Sequence, residues 1–234
     1  MNVVYTVWGK NLALLETLAV SCLSVKETSP NARIIIYCYR RIMREELVDK
    51  FLNVLVDEIK FISKMGHQKH FQCKLETIYD LSANYDKFIH LDVDTRVIKD
   101  LNEMPSPNGY IWLASQQHGN KHSKCVRKTL RVLSRRERGI ASKLNYKDLQ
   151  FRGCSCVVYF DKEKDRKKAK RFSSFLKKSI RIINAHPDRF PNPSDRDEIP
   201  ITGAILDSYN FCNKINAKKR RLKGGQSRAK NVEN

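Results

Sequence analysis

Between residues 2 and 91 the chain alternates short apolar runs with segments of helical period, and that alternation admits few folds. "NVVYTVW" (2–8), "RIIIYCY" (33–39), "EIKFI" (58–62) and "KFIHL" (87–91) carry the β-branched and aromatic residues of buried strands. Between the first two, residues 12–27 put Leu12, Leu15, Ala19, Cys22 and Leu23 on one helical face. Residues 43–55 and 69–83 return to the same period, and "TSPNA" (28–32) is a loop set by Pro30 and Asn31. Strands alternating with helices at this spacing predict an α/β fold, a mostly parallel sheet flanked by helices.

After Pro105 and Pro107 the texture changes. Residues 109–115 and 151–160 read as further strands. Residues 121–143 and 162–183 read as basic helices. A Pro- and Asp-rich loop (185–200) leads to a last helix, 201–211, which contains Gly203. The spacing predicts one domain over 1–212, made of two parts, 1–104 and 105–212, and a mobile basic tail (213–234).

The strand at 87–91 runs directly into Asp92 and Asp94. In open α/β sheets ligands bind beyond the carboxyl ends of the strands. Two carboxylates one residue apart in extended chain can turn to the same side. There they suit a hard divalent cation that takes its remaining ligands from phosphate oxygens. The alternative is a loop whose aspartates cap turns.

"YDKFIHLDVDTRVIKDL" resembles the Asp-x-Asp segment of A-type-fold glycosyltransferases, especially family 8, which includes glycogenin and lipooligosaccharide galactosyltransferases. "VVYTVWGKN", a helix, and "SPNARIIIY" match that family's opening. "CKLETIYDL" places Lys74 and Leu75 one residue further from Asp-x-Asp than the family's basic-Leu pair. The resemblance implies a single Rossmann-like domain, with residues 1–104 the nucleotide-binding half and 105–212 the acceptor and sugar half, and a nucleotide-diphospho-sugar donor, with a UDP-sugar expected. It implies that Thr6, Val7 and Asn11 hold base and ribose, and that Lys74 reaches the donor. Asp92 and Asp94, with Val93 between them, would bind Mn²⁺ or Mg²⁺ and the nucleotide.

Three features depart from that family. "FRGCSC" puts Arg152 where an Asn is usual and shifts the Gly to Gly153, which alters the sugar-binding wall. "SDRDEIPIT" offers Asp195, Asp197 and Glu198 in place of Asp-Gln-Asp, with Asp197 and Glu198 the candidate catalytic carboxylates. The C-terminal metal histidine is missing, since none follows His186. His90, inside a strand, reads as a packed or hydrogen-bonded core residue.

Charge points to an anionic partner. The chain holds 45 Lys plus Arg against 25 Asp plus Glu, a net +20. Such an excess concerns partners and solubility, not fold. On a helical wheel Lys124, Arg127, Lys128, Arg131, Arg135 and Arg138 share one sector, and Glu137 is the sole acid among residues 119–143. Lys164, Lys167, Lys168, Arg171 and Lys178 repeat the pattern. This suggests a polyanionic acceptor, DNA bearing hydroxymethylated pyrimidines among the candidates, with a protein or a glycan as alternatives.

A non-catalytic nucleic-acid-binding protein would explain the charge but not the strand ending in Asp-x-Asp. A haloacid-dehalogenase-type phosphatase wants Thr or Val where Arg96 stands. Seven cysteines without a Cys-x-x-Cys pair point to reduced thiols and a cytoplasmic setting. No stretch has the length and apolarity of a membrane span.

Overall fold

The computed structural model describes residues 1–8, 12–39, 52–62, 71–103, 109–117, 151–191 and 196–208. Strands β1 (Asn2–Trp8), β2 (Arg33–Tyr39), β3 (Glu58–Ile62) and β4 (Lys87–Leu91) alternate with helices α1 (Leu12–Thr28) and α2 (Phe71–Asn84). Then come β5 (Ile111–Gln117), β6 (Phe151–Asp161), α3 (Arg166–Ala185) and α4 (Glu198–Ser208).

The six strands form one sheet in the order β3-β2-β1-β4-β6-β5. The first four are mutually parallel, while β6 runs antiparallel to both β4 and β5. The chain winds outward from β1 through β2 to β3 and then returns to β4 on the other side of β1. The crevice between β1 and β4 is therefore the topological switch point, where α/β sheets bind ligands.

Strand alternation gives the sheet two apolar faces. Val3, Tyr5 and Val7 of β1 and Ile34, Ile36 and Cys38 of β2 pack against Leu15, Leu18, Cys22 and Val25 of α1. Val4, Ile35, Phe88, Val158 and Phe160 face Cys73, Leu75 and Ile78 of α2, Phe172 and Leu176 of α3, and Ile201 of α4. Phe88 and Phe160 stack at 5.1 Å, and Tyr110 meets Phe160 edge-on at 5.9 Å. Thr6 and His90 fall on the α2 face by the same alternation, which decides what they can touch.

Several element ends differ from the sequence reading, among them three starts that shift by two residues or more. Helix α3 starts at Arg166 because Asp165 caps it, its carboxylate accepting the Lys168 N–H at 3.0 Å. Helix α4 starts at Glu198, so Pro200 lies in its first turn, where a missing N–H costs nothing. Strand β5 runs two residues later than expected. The basic helix expected at 121–143 and the tail lie outside the described residues. No helix among those described is long and apolar enough to cross a membrane.

Glu76, half-buried on α2, has its carboxyl pushed up to about 7 by burial. The folded state then binds this proton more tightly than the unfolded chain. Stability falls as pH rises from the unfolded value near 4.5 to about 7. Glu76→Gln should raise the melting temperature at pH 8 by a few degrees, at roughly 2–4 °C per kcal/mol, and leave it nearly unchanged at pH 4. Equal shifts at both pH values, read by circular dichroism, would contradict this assignment.

Candidate active site

The site begins where β4 ends. The Asp92 N–H donates to the Cys156 carbonyl of β6 at 2.8 Å, and the Thr95 N–H closes a turn on the Asp92 carbonyl at 3.0 Å. Val93, half-buried, and Asp94, exposed, occupy the middle of that turn. Pairing between β5 and β6 slips at this level, between Leu113 and Ala114. Such irregularities re-aim backbone beside functional sites.

Helix α1 fixes the chain that follows the turn. The Ser21 hydroxyl donates to the Thr95 carbonyl, so the Tyr5 hydroxyl, 2.8 Å away, must donate to Ser21. Ser24 Oγ accepts the Val97 N–H at 3.0 Å, and Ser29 Oγ accepts the Leu101 N–H at 2.8 Å while donating to Asp100 at 3.0 Å. These serines hold the Asp92–Asp94 turn through its backbone. Sequence reasoning passed over them. Their signal is a second, hydroxylic face on a helix read only for its apolar stripe.

Lys74 is the central charge. It projects from the first turn of α2, is only 4% exposed, and its ammonium pairs with a carboxylate oxygen of Asp92. Asp92 keeps about a third of its side chain exposed, at 32%. Burial raises its carboxyl above the usual range, the Lys74 charge opposes that rise, and Asp94 adds to it. Asp197 joins the group from the start of α4 and is 5% exposed. Burial lifts its carboxyl to about 6 against the opposing charge of Lys74, and both Glu198 and Asp92 push the same way as burial. Its carboxylate accepts the Glu198 N–H at 2.6 Å, and its carbonyl accepts the Ile201 N–H at 3.1 Å. A helix N-terminus is a favourable place for such anions.

Beneath this layer His90 is 1% exposed, with Nε2 2.8 Å from the Thr6 hydroxyl. Burial, and then the Lys74 charge, hold its pKa well below the ordinary histidine value, so the ring is neutral. Its Nδ1 is buried without a hydrogen-bond partner. Thr6 and Val7 lie at the carboxyl end of β1, 3% and 0% exposed. Thr6 is thus engaged with His90 across the β1–β4 crevice.

Asp92, Lys74, Asp197 and Glu198 come together from β4, α2 and α4, with Asp94 beside them on the turn. Arg152 and Gly153 lie in β6 opposite Gln116 and Ser115 of β5. Asn11, Asp195 and the stripe Lys124, Arg127, Lys128, Arg131, Arg135 and Arg138 lie outside the described residues. Among the described residues no group of three or more His, Cys, Asp or Glu is arranged to hold a metal by itself. The turn contributes two carboxylates, Asp92 and Asp94, as oxygen donors beside Asp197 and Glu198.

No protein-family model matches the sequence, and no curated protein matches it by sequence. Solved structures match it by fold. The galactosyltransferase LgtC, solved with donor and acceptor sugar analogues, aligns with a TM-score of 0.50 at 15% identity, over 88% of this chain and 70% of its own. The PaToxG glycosyltransferase aligns with a TM-score of 0.55 at 14% identity, over 95% and 74%. The mannosyltransferase Ktr4p of S. cerevisiae aligns with a TM-score of 0.50 at 10% identity, over 88% and 65%. The chain has the A-type glycosyltransferase fold, a Rossmann-like, mostly parallel sheet flanked by helices.

Proposed function

We propose that this protein is a divalent-metal-dependent glycosyltransferase that moves a sugar from a nucleoside-diphosphate sugar, a UDP-sugar by preference, to an acceptor hydroxyl. The observation that carries the reading is the convergence of Lys74, Asp92 and Asp197 at the switch point of an A-type fold, with Asp94 exposed beside them. An all-oxygen donor set suits Mn²⁺ or Mg²⁺. Asp94 and Asp92 would hold the ion, with diphosphate and water completing its shell. When bound, such an ion supplies Lewis-acid stabilisation of the departing diphosphate.

In the transfer the anomeric C–O bond to the diphosphate breaks, its electron pair leaving with the phosphate oxygen. A bond forms from the acceptor oxygen to the anomeric carbon, and the acceptor's proton passes to a base. Lys74 adds fixed positive charge where negative charge develops, a form of catalysis that costs no reorganisation at the moment of reaction. Asp197, buried and within electrostatic reach of Lys74, would help hold that ammonium. Glu198, half-buried one residue on, would meet the acceptor hydroxyl or the sugar. The overall charge of +20 favours an anionic acceptor.

Purified protein with Mn²⁺ and a panel of UDP- and GDP-sugars should release nucleotide from at least one donor. Glu198→Gln should lower kcat by about 10²-fold, the usual scale of general acid–base catalysis, with donor affinity by calorimetry within twofold of wild type. Suppose neither Glu198→Gln nor Asp197→Asn changes the rate more than about threefold, which is under ~1 kcal/mol on the transition-state scale. The start of α4 then has no part in the reaction.

A further inference from the structure

Beside the site, α2 and α3 and the edge of the sheet enclose a cleft of about 420 Å³ that the transfer chemistry does not use. Its size falls within the range of small-molecule sites. Tyr79, half-buried, gives ring surface there, while Tyr37 and Tyr39, at 1% and 3% exposure, form the floor. The surroundings are held firmly. The Tyr37 hydroxyl donates to Asp80 at 2.6 Å, and the Lys60 ammonium lies 5.1 Å from the Tyr37 ring centre and donates to the Tyr85 hydroxyl at 2.7 Å. Glu76 and Asp80 put carboxylates on the α2 side, while Lys177 and Arg181, one turn apart on α3, put cations on the other.

Helix α3 has no acid in its twenty residues. Near its start, Arg166 pairs with Glu163 at 2.7 Å, and Lys168 with Asp165. Its second half carries Lys177, Lys178 and Arg181, all exposed. That half leads towards the active site, because the Gln72 amide donates to Asn184 at 2.6 Å and to Glu76 at 3.3 Å. Glu76 follows Lys74 by two residues, so the cleft and the site lie on different faces of the same helix.

We propose that this cleft binds an acidic saccharide, the part of the acceptor that lies behind the reacting hydroxyl. Its acceptor role rests on the glycosyltransferase reading, whereas its binding does not. The Tyr79 ring offers flat apolar surface to the C–H face of a sugar ring. Carboxylates accept hydroxyl protons. A guanidinium pairs with a carboxylate or phosphate through two parallel hydrogen bonds. A nucleic-acid duplex fits less well, because a cleft of about 420 Å³ takes a few sugar rings and not a duplex. A membrane surface also fits less well, because the exposed large apolar residues among those described are Val20, Leu23, Val54, Phe61 and Ile98, none of them on α3.

Fluorescence anisotropy at ~100 mM NaCl tests this with four labelled probes: tetragalacturonate, maltotetraose, tetraglutamate and a 12-base-pair DNA duplex. Tetragalacturonate should bind at least tenfold more tightly than any of the others. Lys177→Glu with Arg181→Glu should weaken it at least tenfold, while Lys167→Glu, near the other end of α3, should change it less than twofold. All three positions are exposed, so these variants should fold, and none touches donor hydrolysis. Equal binding of maltotetraose removes the acidic requirement, and equal binding of tetraglutamate removes the saccharide. Tighter binding of the duplex, lost as much in Lys167→Glu as in the double variant, makes α3 a general polyanion face. No binding of tetragalacturonate overturns the proposal outright. In the wild-type protein, donor hydrolysis without tetragalacturonate binding sinks this inference alone, and tetragalacturonate binding without donor hydrolysis sinks the transferase reading alone.

Discussion

Asp94→Ala should abolish sugar transfer, by about 10³-fold or more, and leave the melting temperature of the protein where it was. The two halves of that expectation come from the same geometry. Asp94 is exposed in the middle of the turn, and the turn is held by backbone hydrogen bonds to Thr95 and Cys156 and by the α1 serines, not by its carboxylate. Truncating it removes no buried contact, and surface changes of that kind stay within about 0.5 kcal/mol. It also removes a negative charge that raises the neighbouring Asp92 carboxyl, so stability has no reason to fall. The catalytic half rests on a bound cation, whose stabilisation of the leaving diphosphate is worth several kcal/mol. A loss of about 4 kcal/mol is about 10³-fold in rate. EDTA should do to the wild-type enzyme what the substitution does. Calorimetry should find that Mn²⁺ strengthens UDP binding to wild type and not to the variant. Full turnover in EDTA would remove the metal from the reaction.

The sheet's first four strands were readable because each apolar run is bounded by a helix of clear period, and a parallel strand needs a crossover between itself and the next. The antiparallel edge was not. Lys87 pairs with Asp161, more than seventy residues away, and nothing local in either strand announces a reversed partner. The start of α4 was misjudged through Pro200, which reads as a breaker but sits where a helix tolerates proline. Within the site, Asp92 and Asp94 could be found because two carboxylates at the end of a buried strand conflict with burial. The pairing of Lys74 with Asp92 was half-visible. "QCKLETI" places a lysine between two core residues, but its partner lies on β4, across a tertiary contact. The Thr6–His90 bond needs the β1–β4 pairing before it can be drawn, since Val4 stands opposite His90 only in the folded register. The α1 serines escaped because hydroxyls on a helix are usually read as weak helix formers, not as anchors for a loop seventy residues later.

Lys74→Met should cost both activity and stability, which separates it from Asp94→Ala. The two side chains have similar length, so the substitution fills the same space and removes only charge and hydrogen bonding. Lys74 is 4% exposed and is the cation that opposes the burial-driven rise of both Asp92 and Asp197. Removing one partner of a buried ion pair typically costs 3–5 kcal/mol, because the other charge is left without compensation. Asp92 retains access to water with 32% of its side chain exposed, so a smaller loss of about 2–4 kcal/mol is expected. For a domain of this size that is a fall of roughly 5–15 °C in melting temperature. Donor affinity should fall together with kcat, since in the proposed reaction the same ammonium would face the diphosphate before and during transfer. Lys74→Arg should recover most of the stability and only part of the rate, because a guanidinium keeps the charge but not the point geometry of an ammonium. If Lys74→Met melts within 2 °C of wild type, the lysine does not carry the two carboxylates. The cluster at the end of β4 would then need another source of positive charge.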